Sequence, residues 1–286
     1  MTTNEKIFQV LEETKTNWNV TKLPLVAITD YKFSLKFETE TYGLFRSDNG
    51  NWLGSVGNRY EVMPNSELAE IMVGIQSRFG GEILGGSLQG GKKIYYQMTL
   101  PSERIGNDVI KRNITCLNSH DGTSSIGFGS TNVVVSCSNM FHRAMKDLSK
   151  FRHTMSASER LAIAVDEFQK ALDTDRALMD DFQKMSQIQI DETILEKVMG
   201  SVFNVDMQSK VSDNSTRKRN QISQFETALA KETREKGGTL WGLFNAVTYY
   251  TNHLEKKQDL NYLMYGSGYK KNLTAFNTIK KYMEIA

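Results

Sequence analysis

The stretch VVVSCSNMFHRAMKDLSKFRHTMSASE, Val133 to Glu159, decides how this chain is read. Val133-Val134-Val135-Ser136-Cys137 is a short buried-strand candidate, and after Cys137 the apolar period changes from two to about 3.6. That change predicts strands before Cys137 and helices from there to the C-terminus. Ser156-Ala157-Ser158-Glu159 matches a capping box, in which the serine hydroxyl and the glutamate side chain each satisfy an amide left open at a helix start. Behind it Leu161, Ala164, Val165, Phe168, Leu172, Met179, Phe182 and Met185 trace one helical face.

Upstream, Asn4 to Thr14 has the spacing of a short amphipathic helix with Ile7, Val10 and Leu11 inward. Phe33, Leu35 and Phe37 alternate with polar residues, and Ser47-Asp48-Asn49-Gly50 between two apolar runs signals a hairpin. A helix is expected from about Asn65 to Gly80-Gly81. Ile94, Tyr96, Met98 and Leu100 then alternate, and Val109 to Leu117 is expected to pair with Ser125 to Phe128 across Asp121-Gly122. Gly85-Gly86 and Gly90-Gly91 read as a glycine-rich hairpin ending in Lys92 and Lys93, since no helix comes after them to make a phosphate cradle.

Downstream, Asp191 is a helix-cap candidate, and the polar residues from Gln208 to Gln221 are the best loop candidate. A helix is expected from Gln221 to Lys236, stopped at Gly237-Gly238. The uncharged run GTLWGLFNAVTYYTNH, Gly238 to His253, places Leu243, Phe244 and Val247 on one face and Trp241, Asn245 and Tyr249 on another. A helix needed on two faces is predicted to be buried, capped by Thr239, with Asn245 hydrogen-bonded to backbone. The fold class is therefore α+β: an antiparallel sheet with packed helices in the N-terminal half and a helical C-terminal half. The boundary is drawn as an α+β core at 1–150 and a helical region packed on it at 151–286, with a basic loop at about 208–221.

The 286 residues suffice for a substantial core, and with 39% apolar and 24% charged residues the composition is ordinarily globular. No run of 18 apolar residues and no signal-like opening occurs, so a cytoplasmic protein without membrane contact is expected. Cys116 and Cys137 are expected to be reduced and buried. The net charge of +2 conceals segregation: 156–200 holds ten acidic residues against five basic, whereas 138–155 holds one against four and 255–286 three against six. A polyanion-binding face and solvated helix surfaces both produce such blocks.

Phosphate-binding loops, nucleophile elbows, His-Glu-x-x-His and Cys-x-x-Cys are all missing from the sequence. Cys116, His120, Cys137, His142 and His153 invite a zinc reading, but Cys116 and His120 straddle the end of a strand and Cys137 lies in a strand run, which argues against convergence. The chain is therefore expected to need neither metal nor cofactor. If the segment after Cys137 is helical, Arg143, Lys146 and Lys150 fall at i, i+3 and i+7. They form a positive stripe running toward Arg152 and His153, suited to phosphates or to a solvated surface. Arg217-Lys218-Arg219 in the polar loop offers a second basic arm, and Lys92 and Lys93 a third candidate contact.

Five short motifs in order carry a resemblance: Gly54 to Tyr60, Ser119 to Gly122, Cys137 to Asn139, Arg152 to Thr154 and Gly238 to Thr248. Together they resemble the phage and plasmid-like family defined by a domain of unknown function, across most of the chain. Met140 departs from the threonine common there. At the level of fold, that family is similar to phage single-strand annealing recombinases, whose subunits form rings or filaments that hold single-stranded DNA in a basic groove. The resemblance implies an ATP-independent single-stranded DNA-binding and annealing protein, a homo-oligomer, with phosphate contacts and stacking on aromatics such as Trp52, Tyr60 and Tyr95. Two other classes stay open: a protein-interaction or anti-defence module of a mobile element, and a metal-dependent hydrolase using His120, Asp121 and His153.

Overall fold

The computed structural model describes residues 2–28, 36–123, 126–134, 139–144, 157–205 and 215–285. The fold is α+β, with antiparallel strands and helices in the N-terminal half and helices in the C-terminal half. The elements run α1 (Thr3–Glu13), β1 (Val20–Ile28), β2 (Lys36–Arg46), β3 (Trp52–Gly57), α2 (Asn65–Phe79), β4 (Ile83–Leu88), β5 (Lys93–Ile105), β6 (Asp108–Ser119), β7 (Gly127–Val134) and β8 (Met140–Ala144). After them come α3 (Ala157–Met185), α4 (Glu192–Phe203), α5 (Thr216–Lys236), α6 (Leu240–Tyr249), a π-helical turn (Tyr250–Leu254), α7 (Leu260–Met264) and α8 (Ser267–Met283).

The strands form two sheets, one ordered β1-β2-β3 and the other β4-β5-β6-β7-β8, each in chain order. Connections of two to seven residues favour that order, because a short link returns the chain beside the strand it has just left. The Ser47–Gly50 hairpin joins β2 to β3 as expected, with Phe45 opposite Trp52. The glycine-rich hairpin joins β4 to β5, with Gly85 opposite Tyr96 and Gly86 opposite Tyr95. Along β5 the expected alternation appears, since Ile94, Tyr96 and Met98 are buried.

By contacts the chain divides into two compact units. The first comprises Met1–Leu100, Asn113–Gly129 and Ala144–Leu172. In its core, Leu68, Met72 and Ile75 of α2 pack with Val10 and Leu11 of α1, Tyr96 of β5 and Phe168 of α3. The second comprises Pro101–Arg112, Ser130–Arg143 and Asp173–Ala286. Its core is rich in aromatics: Phe141, Phe182, Trp241, Phe244 and Phe276 interlock with centroid distances of 4.8 to 6.3 Å. Edge-on and tilted contacts at that range add to burial itself.

One expectation fails within the stretch from Val133 to Glu159. Met140–Ala144, expected to be helical, is β8. Tertiary contacts override the 3.6-residue pattern there. The Asn252 side chain accepts from the Met140 amide at 3.2 Å and donates to its carbonyl at 3.3 Å, as a neighbouring strand would. Across from β8, Thr131 of β7 hydrogen-bonds His142 at 2.7 Å. The capping box at Ser156 and the strand candidates at Phe33, Leu35 and Cys137 lie outside the described residues. Cys116 is buried in β6, and burial pushes its thiol pKa up. Among the described residues no helix is long and apolar enough to cross a membrane.

Candidate functional site

The basic residues singled out by sequence fall into three different situations. Lys93 is buried, not offered to solvent: its ammonium donates to the Thr123 hydroxyl at 2.8 Å and stands 3.9 Å from Asp121. Burial pulls its pKa down while Asp121 opposes the shift. Lys92 is half-buried, and its carbonyl accepts from the His120 amide at 2.7 Å. Arg143 lies on β8, so the helical stripe that paired it with Lys146 and Lys150 does not start there. Lys146, Lys150, Arg152 and His153 lie outside the described residues.

Arg217, Lys218 and Arg219 are not in a loop. They occupy the first turn of α5, which begins at Thr216 and is capped by Ser215, whose hydroxyl accepts from the Lys218 amide at 3.4 Å. Sequence periodicity missed this turn because the buried face of α5 carries only Phe225, Ala228 and Glu232, all downstream of it. No acidic residue offsets the three cations in that turn, although a helix N-terminus favours anions. None of the three forms an ion pair among the described residues.

The sequence motifs themselves meet in pairs. In the first unit, Gly54 packs against the Ser119–Gly122 turn so closely that a Cβ there would sit 2.9 Å from the Asp121 backbone. Tyr60 donates its hydroxyl to the Ser119 carbonyl at 2.8 Å. Asp121 accepts from Ser119 and from the Thr123 amide and hydroxyl. Burial works against its ionisation, but those hydrogen bonds and Lys93 outweigh it and hold the carboxyl below its ordinary value.

His120 faces the other way. Its Nε2 lies 2.8 Å from Asn65 Oδ1, while Asn65 Nδ2 donates to the Thr16 and Trp18 carbonyls. The amide oxygen must then accept, so Nε2 carries the imidazole proton and Nδ1 a lone pair. Burial pushes the pKa of His120 down to about 4, against Asp121, so the ring is neutral at neutral pH. Trp18 packs edge-on to that ring at 5.6 Å, and the Arg46 guanidinium lies 4.2 Å above Trp18.

In the second unit, Asn139 donates to Asn245 O and Oδ1 at 3.2 and 3.3 Å and takes the His253 Nε2 proton at 3.2 Å. Asn245 donates to the Trp241 carbonyl at 2.9 Å, so the predicted buried amide does find backbone. Thr239 caps α6 as expected, and every residue from Leu240 to Thr248 is buried. Unanticipated is the π-helical turn after it, a local widening often found near functional sites. Beside that turn a cavity of about 780 Å³ is lined by Arg217 of α5, Lys256, Lys257 and Ser267 of α8.

Of the three aromatics expected to stack bases, Trp52 is 44% exposed. Tyr60 and Tyr95 are half-buried, and burial raises the Tyr95 phenol pKa. Among the described residues no group of three His, Cys, Asp or Glu could hold a metal ion.

The model of a protein family described as "Domain of unknown function (DUF932)" matches residues 52–275. The chain belongs to this family. In this DUF932 protein the matched span begins at β3 and ends within α8, so it holds both motif pairs and all the residues that line the cavity. No curated protein and no solved structure matches the chain.

Proposed function

We propose that this DUF932 protein binds single-stranded DNA and promotes its annealing without ATP, as a subunit of a ring or filament carried by a phage or related mobile element. The observation that carries the reading is the uncompensated cationic turn at the start of α5. Lys218 and Arg219 stand where the helix dipole is least favourable to them and have no carboxylate partner among the described residues. A backbone phosphate supplies the missing countercharge, and several such contacts give affinity without sequence preference. Trp52 separately supplies exposed aromatic surface on which a base can stack.

Binding of a fluorescent oligonucleotide should weaken steeply with salt, and Arg219→Ala should lower the slope of log K against log salt by about 0.7, one single-strand phosphate contact. Arg152→Ala tests the Arg-His-Thr motif in the same assay. Salt-independent or absent binding overturns the reading, and sizing the complexes reports the assembly.

A protein-interaction role is favoured by a different observation. β1 is an edge strand, and it exposes Leu23, Val26 and Ile28, the last by 64%. Edge strands with apolar side chains pair readily with other chains. A host protein retained on this chain after nuclease digestion, and released by Val26→Lys, would support that role.

A further inference from the structure

The cavity beside the π-helical turn is built from donors. Arg217 enters it from the first turn of α5 and is followed down the same flank of that helix by further lining residues, with Ser267, the first residue of α8, beside them. α8 begins at Gly266 with no capping side chain, which leaves its first amides without that partner. Lys256 and Lys257 line the same wall and form no ion pair among the described residues. Asn220, Gln221 and Gln224 add side-chain amides.

The one carboxylate in the wall, Glu255, is ion-paired with Lys271 through Oε1 and accepts from Tyr250, while its Oε2 is buried without a hydrogen-bond partner among the described residues. Tyr262 also lines the cavity with its ring, which is held in place by Gly268, where any Cβ would collide with it, while its hydroxyl is closed off from solvent and so from the cavity.

We infer that this cavity binds a phosphomonoester of nucleotide size. A dianion matches three cations beside the uncapped start of α8, and the volume falls within the range of about 300–1,000 Å³ typical of small-molecule sites. The phosphate lies with Arg217 and the two lysines, and the side-chain amides reach the rest of the ligand. This inference goes beyond DNA annealing and stands without it. A free nucleotide and the 5′-phosphorylated end of a DNA strand present the same chemistry.

Calorimetry with the full chain tests it, using deoxyadenosine monophosphate, deoxyadenosine, inorganic phosphate, and one short oligonucleotide with either a 5′-phosphate or a 5′-hydroxyl. Saturable one-to-one binding of the monophosphate is expected, with deoxyadenosine at least about tenfold weaker because it lacks the charge-assisted contacts. Arg217→Ala should weaken the monophosphate about tenfold or more, and Lys257→Ala about three- to tenfold.

A preference of tenfold or more for the 5′-phosphorylated oligonucleotide over the monophosphate assigns the site to strand ends. The reverse preference assigns it to free nucleotides. No saturable binding of any phosphate-bearing probe, or binding that neither variant changes while both melt like the parent, overturns the inference. Loss of the DNA salt slope in Arg219→Ala with monophosphate binding intact concerns the annealing function alone, because Arg219 does not line the cavity.

Discussion

The Ser119–Gly122 turn of the first unit and the α5–α8 cavity of the second are both dense in polar side chains, yet they use them in opposite ways. In the turn, Lys93, Asp121, Ser119, Tyr60 and Asn65 all point at one another or at backbone. Around the cavity, Arg217, Lys256 and Lys257 have no carboxylate partner among the described residues. Polar groups that satisfy one another stabilise a fold, whereas polar groups left open are available to a ligand. The more conspicuous motif is thus the structural one.

That contrast breaks if the turn tolerates change. Gly54→Val should be the most damaging substitution, since its side chain meets the Asp121 backbone and not a yielding side chain. A loss of about 3 kcal/mol or more is expected in urea unfolding. A melt like that of the parent would show that the two motifs do not lock together.

Acid should discriminate next. Burial holds His120 and His142 down to about 4 in the folded chain, while an unfolded histidine takes up its proton near 6.5. The folded state therefore binds fewer protons between those values. Stability should be full above about pH 6.5 and fall as the pH drops toward 4, by on the order of 3 kcal/mol for each ring. Urea midpoints measured at several pH values check this, and His142→Gln should make the decline shallower.

Asn245→Ala should come next at about 2 kcal/mol, because it removes the buried side-chain bonds to Asn139 and to the Trp241 carbonyl beside the π-helical turn. Thermal unfolding with Asn245→Asp as the isosteric companion separates the lost hydrogen bonds from lost volume. The smallest effect sharpens the contrast from the other side. Arg219→Glu should stabilise α5 by a few tenths of a kcal/mol by suiting the helix dipole, and should weaken oligonucleotide binding at the same time. A variant that is both less stable and equally avid would remove the argument that the cations serve an anion.

Where neighbours in sequence set the conformation, the elements were legible. The spacing of Ile7, Val10 and Leu11 places α1, the Ser47–Gly50 turn places the β2–β3 hairpin, and the uncharged run from Leu240 to Thr248 forms the buried helix expected of it. The fold class arises from such local signals. Where distant residues decide, local spacing misled: β8 carries a helix-like pattern but is bonded by Asn252, and the first turn of α5 lacks apolar residues to mark it. The candidate site was legible only in fragments. Arg217 stood out as a cation, but nothing in the local spacing of Lys256, Tyr262 or Ser267 shows that they share a cavity with it.

By itself the sequence determined the α+β class, the order of its hairpins, and a set of motifs specific enough to point to a family. Tertiary structure alone decided what those motifs do. Hydrogen bonds between residues more than fifty positions apart, such as His120 with Asn65 and Asn139 with Asn245, consume the polar groups that looked chemical. The same long-range packing brings Arg217 of α5, Lys256, Lys257 and Ser267 of α8 to one cavity. Short-range preferences are encoded by spacing along the chain, but whether a polar group is satisfied depends on which distant atoms reach it.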